Sequence, residues 1–480
     1  MKKKLPIGIQ SFSRLRDEGC LYVDKTEHIY NMITTGGGVY FLSRPRRFGK
    51  SLLISTLDEL FRGRKELFKG LFIYDKWDWT QYPVIRMDFG KRTFGSPEEL
   101  KISLDDFVNA VANKNQISLQ ERTLNGKFGE LIEKLHDSTG RGVVVLVDEY
   151  DKPIIDHLTN KEKLRANKEI LHNFYQVLKA SDDYIEFIFL TGVSKFSGLS
   201  VFSALNNPVD ITLNRKYTSL CGYTQEELEY YFTDYLDEIA EYKNMSRDEL
   251  LEAIKFWYNG YSWDGKTSVY NPFSTLLLFM NKEIDNYWFR SGTPTFLMNL
   301  LKTRNQLQPV LEPFQVSSRV FDSYDPENIE EIPLLFQTGY LTIKQKVEVS
   351  TTRIQYVLGT PNEEVKVSFF EYLLNAYTEY PLSQIQGFVG NMQQQIYEGD
   401  TSALEQNLRM LLAHIPSILH VEAEKYYHSL FLLLMKMLGF DIQGEIMTNI
   451  GRIDAVWHQP GLTVVAEIKY HAEKDIDSLL

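Results

Sequence analysis

Residues 43–51 read Ser-Arg-Pro-Arg-Arg-Phe-Gly-Lys-Ser, and this stretch decides the fold. An apolar run precedes it and a run with helical periodicity starts near Leu52, so the order is strand, loop, helix. The unpaired N–H groups and partial positive charge of a helix N-terminus allow such a loop to hold a phosphate chain. Lys50 would then reach the β- and γ-phosphates, and the Ser51 hydroxyl would bind Mg²⁺. The usual pattern has a glycine where this chain has Arg44, and a lone Gly-Lys-Ser also begins ordinary surface helices, so a second element is needed.

An unbroken β-branched run at residues 143–147 supplies that element, because it is typical of a central parallel strand covered on both faces. It ends in Asp148 and Glu149, where open α/β sheets bind ligands. Asp148 would accept the water shell of Mg²⁺, and Glu149 would orient or deprotonate an attacking water. Alone, two acids after a strand are a solvated turn; with the Gly-Lys-Ser loop they favour an ATP site. A further strand, residues 185–190, ends near Thr191, which either senses the γ-phosphate or only ends the strand.

The composition is that of a folded protein with several domains. At 480 residues the chain is too long for one ordinary core, and 43% hydrophobic with 24% charged residues is typical of a globular protein. A net charge of −12 excludes a protein that coats nucleic acid non-specifically, so any contact with DNA or RNA requires a local basic patch. Cys20 and Cys221 show neither disulfide nor zinc spacing, and no signal peptide or membrane span is recognised. We expect a cytoplasmic protein without membrane contact.

Four motifs in the first half carry a family resemblance. They are Leu5-Pro6-Ile7-Gly8, Tyr22-Val23-Asp24-Lys25-Thr26, Arg44-Pro45-Arg46-Arg47-Phe48-Gly49-Lys50-Ser51 and Asp148-Glu149-Tyr150-Asp151-Lys152-Pro153. The chain resembles the bacterial and archaeal AAA-ATPase-like family, whose members often carry a C-terminal PD-(D/E)XK nuclease domain. The resemblance makes Arg44 a family trait, and it implies an α/β P-loop ATPase fold, here expected at residues 1–215.

The expected nucleotide site takes its residues from the loop and from the ends of the neighbouring strands. Guanidinium groups would supply charge to the phosphates that the usual loop leaves to backbone N–H groups. We expect Lys50 and Glu149 to be catalytic and Ser51 and Asp148 to hold Mg²⁺. The residues expected to bind ATP are Arg44, Arg46, Arg47, Gly49, Lys50, Ser51, Leu52, Asp148 and Thr191.

From residue 216 to about 400 the sequence predicts a helical middle region. Helix starts are predicted at Thr224 with Glu227, Ser246 with Glu249, and Asn271-Pro272. A helix at residues 330–335 followed by alternating runs at 340–346 and 353–358 suggests a winged-helix module, which either binds DNA or serves as a lid. The segment around Arg290 is rich in aromatic residues, so it packs a core or supplies an arginine finger.

Residues 401–480 contain a second arrangement of acids. A periodic helix at residues 421–438 includes Glu424, and a strand with Asp454 in an apolar setting follows. A second strand ends in Glu467-Ile468-Lys469, where alternation puts Glu467 and Lys469 on one face. Asp454 and Glu467 would hold Mg²⁺, while Lys469 would lower the pKa of the attacking water, and Glu424 would complete the shell. Glu-x-Lys alone is common in exposed strands, but this order of acids is rarer.

The same segment resembles the PD-(D/E)XK nuclease superfamily in Glu424-Lys425-Tyr426-Tyr427-His428, Gly451-Arg452-Ile453-Asp454 and Glu467-Ile468-Lys469. His428 either contacts a phosphate or is a core histidine. The nuclease fold normally continues through a further helix and strand, so the resemblance implies a module incomplete at its C-terminus.

The sequence therefore predicts an ATPase with a metal-dependent phosphodiesterase module that acts on nucleic acid, with DNA favoured over RNA but not decided by the sequence. One alternative is an interaction switch in which nucleotide state changes the domain arrangement and the nuclease-like module is a docking surface. Another is a phosphate-binding protein without turnover. ATP and Mg²⁺ are the expected cofactors, and a homo-oligomer or protein partner is compatible with both main hypotheses.

Overall fold

The computed structural model describes most of the chain as two compact units. The first comprises Met1–Asp285 and Gln315–Val357, and the second comprises Asn286–Phe314 and Leu358–Leu480. The predicted domain boundaries near residues 215 and 400 stay predictions. The described residues are 2–36, 38–196, 208–288, 301, 313–322, 325–350, 353–378, 380–400, 402–403, 406–407, 410, 423–440, 442–447, 452–459 and 462–466.

A five-stranded parallel sheet forms the centre of the first unit. Its strands are β1 (Val39–Ser43), β2 (Val84–Asp88), β3 (Val143–Asp148), β4 (Ile185–Gly192) and β5 (Val209–Asp210). They lie in the order β2-β3-β4-β1-β5. Every residue of β3 is buried, as the β-branched run predicted for a strand covered on both faces. The α/β parallel-sheet fold predicted for this part of the chain is confirmed.

Seven helices are described between residues 12 and 180, in the same unit as this sheet. They are α1 (Phe12–Asp17), α2 (Thr26–Thr34), α3 (Lys50–Phe61), α4 (Pro97–Lys114), α5 (Leu124–Thr139), α6 (Lys152–Ile155) and α7 (Lys161–Ala180). Helices α3 and α5 pack on β3, while α4, α5 and α7 pack on one another. The rings of Phe128 and Phe174 stack with centroids 4.4 Å apart and join α5 to α7. Side-chain oxygens of Ser96, Thr123 and Asn160 cap α4, α5 and α7.

Four more helices follow within the first unit: α8 (Gln225–Tyr231), α9 (Thr233–Lys243), α10 (Arg247–Tyr258) and α11 (Pro272–Asn281). Both predicted capping boxes form, at α8 and at α10. Asn271 caps α11 and proline stands in its first turn, as predicted. Local sequence therefore fixes where these helices begin.

Residues 314–359 form a second sheet and one helix. The elements are β6 (Phe314–Ser317), α12 (Glu331–Thr338), β7 (Thr342–Ser350) and β8 (Arg353–Gly359), and the strands lie in the order β6-β8-β7. Gly339 ends α12 with a φ of 91°. The predicted helix followed by two strands is confirmed, and the winged-helix assignment stays a prediction.

The second unit contains three described helices and an antiparallel sheet. Its elements are α13 (Glu363–Thr378), α14 (Leu382–Glu398), α15 (Ala423–Met437), β9 (Ile442–Met447), β10 (Arg452–Gln459) and β11 (Leu462–Ala466). The strands lie in the order β11-β10-β9. Helix α13 packs on α14 and α15, and α15 packs on β9. The backbone N–H groups of Tyr287 and Trp288 donate to the Glu364 carboxylate, 2.8 and 2.9 Å away. Of the helices described in either unit, none has the length and apolarity that crossing a bilayer requires.

Candidate nucleotide-binding site

The strand register brings the predicted loop and the predicted acids to one edge of the first sheet. Ser43, the last residue of β1, pairs with Gly192 of β4, and Asp88 of β2 pairs with Asp148 of β3. Strand β4 lies between β1 and β3. The loop after Ser43 and the turn after Asp148 therefore leave the sheet at its carboxyl edge, where open α/β sheets bind ligands.

Helix α3 begins without a side-chain cap. Its N-cap residue is Gly49, with a left-handed φ of 91°, and no side chain of the described residues bonds the first N–H groups. Arg47, two residues earlier, also has a positive φ, 135°. The loop faces a cavity of about 420 Å³, which Arg46, Arg47 and residues 48–52 line. An uncapped helix start that opens on a cavity is suited to an anion.

Lys50 is folded back onto its own loop. Its ammonium donates to the carbonyl oxygens of Arg44 and Pro45, 2.8 and 2.9 Å away, and the residue is 7% exposed. Burial lowers the pKa of Lys50, while Asp148 and Asp151 oppose the change. An ammonium has three donors, so these two bonds leave a third for a phosphate oxygen.

Asp148 is the most unusual polar group at this edge. Its side chain is buried, the Ser51 hydroxyl lies near it, and neither carboxylate oxygen makes a hydrogen bond of normal geometry with a described residue. Burial raises the pKa of Asp148, and the Ser51 hydroxyl and the Lys50 ammonium oppose that rise. Buried unpartnered oxygens are costly, and hard cations such as Mg²⁺ take oxygen ligands. The donor set of Asp148 and Ser51 fits a magnesium ion.

Glu149 turns the chain sharply after β3. Its φ is 52°, a left-handed conformation that a glutamate rarely adopts. The carboxylate lies against Gly90, where an added Cβ would come within 2.7 Å of Oε2. Glu149 lines the same cavity as the loop. Such a strained backbone is typical of functional sites, and here it directs a carboxylate into the cavity.

Asp151 was quoted in the sequence analysis only as part of a motif, but it also lines the cavity. Its carboxylate accepts hydrogen bonds from the N–H groups of Val193 and Ser194, 2.9 and 2.6 Å away. It is 1% exposed, and burial raises its pKa to about 6. Asp151 thus fixes the segment that follows β4. The sequence signal that could have assigned Asp151 to the site is its position three residues after Asp148.

Two residues expected to bind ATP lie elsewhere. The Arg44 guanidinium is buried, donates to backbone carbonyls and lies over the Trp263 ring, and its predicted contact with phosphate stays a prediction. The Thr191 hydroxyl donates to the carbonyl of Leu42, 2.9 Å away, and joins β4 to β1. Neither residue lines the cavity. By contrast, Arg46 and Arg47 are exposed there, and the Arg47 guanidinium lies 5.2 Å from the centre of the Phe273 ring.

The cavity also has walls that the sequence analysis did not assign to the site. The turn at the N-terminal motif, helix α11 and Tyr223 supply them. The residues are Pro6, Gly8, Ile9, Gln10, Tyr223, Pro272, Phe273 and Leu276. The motif Leu5-Pro6-Ile7-Gly8 was a family signal, but it gave no indication of this position.

The C-terminal acids are described only in part. Asp454 lies on β10 and is half-buried. His428 is buried, and its Nε2 lies 2.5 Å from the backbone carbonyl oxygen of Asp454. This placement agrees with the alternative in which His428 is a core histidine. The side chain of Glu424 lies outside the described residues, as do Glu467 and Lys469. No group of three or more His, Cys, Asp or Glu side chains that would hold a metal occurs among the residues that the structure does describe.

Comparisons with known proteins agree with both halves of the resemblance. A family described as predicted AAA-ATPase matches residues 6–202, and the PD-(D/E)XK nuclease superfamily matches residues 422–479. The chain is 41% identical over 460 residues to a protein of Azotobacter chroococcum mcd 1 described as an uncharacterized protein in the vnfD 5′ region. That similarity covers 94% of this chain and 86% of the relative.

Proposed function

This chain belongs to the predicted AAA-ATPase family and carries a PD-(D/E)XK nuclease superfamily segment, and from that premise we propose that its first unit binds and hydrolyses ATP. The observation that carries the proposal is the buried, unpartnered carboxylate of Asp148 at the same sheet edge as an uncapped Gly-Lys-Ser helix start. A nucleotide triphosphate with its magnesium ion would satisfy both at once.

Different residues of the site bind the phosphates, the magnesium ion and the base. The N–H groups of the loop and the Lys50 ammonium bind the β- and γ-phosphates, and Arg46 and Arg47 add positive charge from the exposed side. Asp148 and Ser51 would hold Mg²⁺, which would neutralise the charge on the phosphate oxygens. Pro6, Phe273 and Leu276 also line the cavity, and their apolar surface would be available to the nucleobase.

Hydrolysis requires a water in line with the γ-phosphorus. Glu149, held in the cavity by its left-handed backbone, orients that water and accepts its proton. The new bond joins the water oxygen to the γ-phosphorus, and the bond to the bridging oxygen breaks, so ADP leaves with the electron pair. Asp151 keeps the segment 193–194 beside the reacting group.

The test is ATP binding by calorimetry together with phosphate release. Lys50→Ala should weaken ATP binding more than about tenfold, because it removes a charge-assisted donor. Glu149→Gln should keep ATP affinity but slow hydrolysis by about 10²-fold or more. Lys101→Ala, an exposed lysine of α4, is the matched control and should change neither. Absence of ATP binding by the parent protein would refute the proposal, and tight binding with equally absent hydrolysis in parent and Glu149→Gln would favour a phosphate-binding protein without turnover.

For the second unit we propose metal-dependent cleavage of nucleic acid, with DNA as the preferred substrate and Asp454, Glu467, Lys469 and Glu424 as its site. It rests on the superfamily match and on the β10–β11 pairing, in which Ala455, next to Asp454 in sequence, pairs with Ala466, next to Glu467. Cleavage of single-stranded and duplex DNA and of RNA with Mg²⁺ or Mn²⁺ tests this. Asp454→Asn should abolish cleavage and the exposed Asp400→Asn should not. If no metal-dependent cleavage occurs, the nuclease-like segment is a docking surface in a nucleotide-driven switch.

A further inference from the structure

The phosphate loop is anchored from its inner side by Arg44. The guanidinium is fully buried and donates to the carbonyls of Ser43, Thr212 and Tyr217 at 2.8, 2.9 and 3.2 Å. Its central carbon lies 3.9 Å from the centre of the Trp263 ring, within the range of a cation–π interaction. No carboxylate of the described residues forms an ion pair with it. Carbonyl dipoles and an aromatic face therefore compensate this buried charge, and the side chain cannot move without losing them.

Phe48 anchors the other end of the loop in the same place. It is 1% exposed, and its ring meets the rings of Tyr261 and Trp263 edge-on, with centroids 4.7 and 5.4 Å apart. Arg46 and Arg47 lie between the two anchors and are exposed at the cavity. The loop thus has an outer face for the ligand and an inner face fixed on one aromatic pair.

This aromatic pair belongs to a stiff turn. The Asp264 carboxylate accepts hydrogen bonds from the N–H groups of Lys266 and Thr267, both at 2.8 Å. Val269 donates its N–H to the Tyr261 carbonyl, 2.8 Å away, and closes the turn. The aromatic rings therefore sit on a preformed platform.

Ser262, between the two aromatic residues, is bonded to β7. Its N–H donates to the Thr342 hydroxyl at 2.7 Å, and that hydroxyl donates back to the Ser262 carbonyl at 2.8 Å. The N–H of Ile343 donates to the same carbonyl at 3.2 Å. Beside it, a Cβ on Gly265 would lie 2.9 Å from the Lys346 nitrogen, so the turn rests directly on the strand. A continuous set of contacts joins β7, the turn and the loop.

We propose that Arg44 and Phe48 are positioning residues, which hold the phosphate loop on the Tyr261–Trp263 platform so that strand β7 sets the affinity of the loop for triphosphate. The proposal rests on ATP binding at this loop. The Arg44 carbonyl also accepts from the Lys50 ammonium, so the anchored residue holds the lysine that the phosphates require. The arginine that stands in place of the usual glycine therefore fixes the inner side of the loop.

The experiment first uses the full chain without nucleotide, by amide hydrogen exchange. Trp263→Leu should speed exchange of the hydrogen-bonded loop amides of Arg44, Arg47 and Leu53 about tenfold, because it removes the cation–π face and the ring contact with Phe48. Thr342→Val, which removes two hydrogen bonds and leaves the loop sequence intact, should speed it about threefold. Trp263→Phe keeps an aromatic face, so the exchange rate of the loop amides should stay close to that of the parent protein. Trp257→Leu, a tryptophan of α10 bonded to the Asp285 carbonyl, is the matched control and should leave these amides unchanged.

The same variants are then titrated with MgATP. The dissociation constant should rise by the same factors, while the hydrolysis rate at saturating ATP stays within about twofold, because a loosened loop affects binding before chemistry. Unchanged loop exchange in both Trp263→Leu and Thr342→Val overturns the proposal whether or not ATP binds. If Trp263→Leu fails to fold, Thr342→Val decides alone. Faster loop exchange in a protein that binds no ATP would uphold the anchoring and refute the proposed ATPase function.

Discussion

At the scale of single residues, the buried carboxylate of Asp151 makes stability depend on pH. Burial raises its pKa to about 6 from a usual 3.8, so between these values the folded protein holds a proton that the unfolded chain has lost. The contribution of Asp151 to the free energy of unfolding is fully present below about pH 4, and it is lost as the pH rises through 6. Asp151→Asn has no proton to lose, and its amide oxygen still accepts from Val193 and Ser194.

As the pH rises from 4 to 7, we expect the parent protein to lose roughly 2 to 3 kcal/mol of unfolding free energy relative to Asp151→Asn. Urea denaturation at several pH values measures it. A difference that does not change with pH would mean that Asp151 has the same proton affinity in both states.

The left-handed backbone of Glu149 predicts a conflict between stability and activity. Glycine adopts this φ without strain, so Glu149→Gly should raise the free energy of unfolding by about 1 kcal/mol while it abolishes ATP hydrolysis. Gln116→Gly changes an exposed residue with a φ of 58° and should stabilise equally with no loss of activity. Thermal unfolding and phosphate release test the pair, and a destabilised Glu149→Gly would show that its backbone is not strained.

The placement of the Arg44 side chain does not follow from its residue type alone. Its position in the loop and its charge predict a phosphate contact, as they do for Arg46 and Arg47, but only Arg46 and Arg47 line the cavity. The direction of the Arg44 side chain depends on Trp263, more than two hundred residues away, and on carbonyls of Thr212 and Tyr217. No local pattern records those contacts.

At the scale of elements, the start of α3 depends on a glycine in a left-handed conformation. Helices α4, α5 and α7 have side-chain caps, and α2 and α6 start without one, but only α3 among these starts at a left-handed glycine, Gly49, with a φ of 91°. Gly49→Ala should cost about 1 to 2 kcal/mol of stability, because a Cβ is strained at that φ. The substitution should also weaken ATP binding, because a change of backbone conformation at residue 49 reorients the first N–H groups of α3, which bind the phosphates in the proposed site.

Gly140→Ala is the control, since Gly140 ends α5 with a φ of 61° and, like Gly49, has open space for a Cβ. It should destabilise the protein to a similar degree and leave the dissociation constant of ATP unchanged. Equal ATP affinities for both alanine variants would contradict a role for the α3 start in binding.

Strands, caps and their order were predictable because they depend on local pattern. The β-branched run at 143–147 and the capping boxes at Thr224 and Ser246 need no distant partner to be recognised. The cavity walls were not predictable, since Pro6, Tyr223 and Phe273 are far apart in sequence and meet only in the folded unit. Asp148 and Lys50 lie between these cases, because sheet topology brings their strand ends to one edge.

At the scale of the whole molecule, ATP should stabilise the unit that contains the loop. A ligand at one hundred times its dissociation constant adds about 2.7 kcal/mol to the stability of the state that binds it. With MgATP, amide exchange should slow in residues of the first unit, Met1–Asp285 and Gln315–Val357, and stay unchanged at 423–466. Lys50→Ala should abolish the effect. Slower exchange at 423–466 as well would favour the switch hypothesis.

Lys50 also has a consequence for the kinetics of nucleotide capture. Its ammonium is already occupied by the carbonyls of Arg44 and Pro45 before any phosphate arrives. In the proposed binding mode one phosphate oxygen takes the third N–H of the ammonium, and contact with a second phosphate requires a rearrangement in which the lysine exchanges a carbonyl for a phosphate oxygen. The observed association rate should then level off at high ATP concentration instead of rising in proportion to it, and the plateau would measure how fast the loop carbonyls release the lysine.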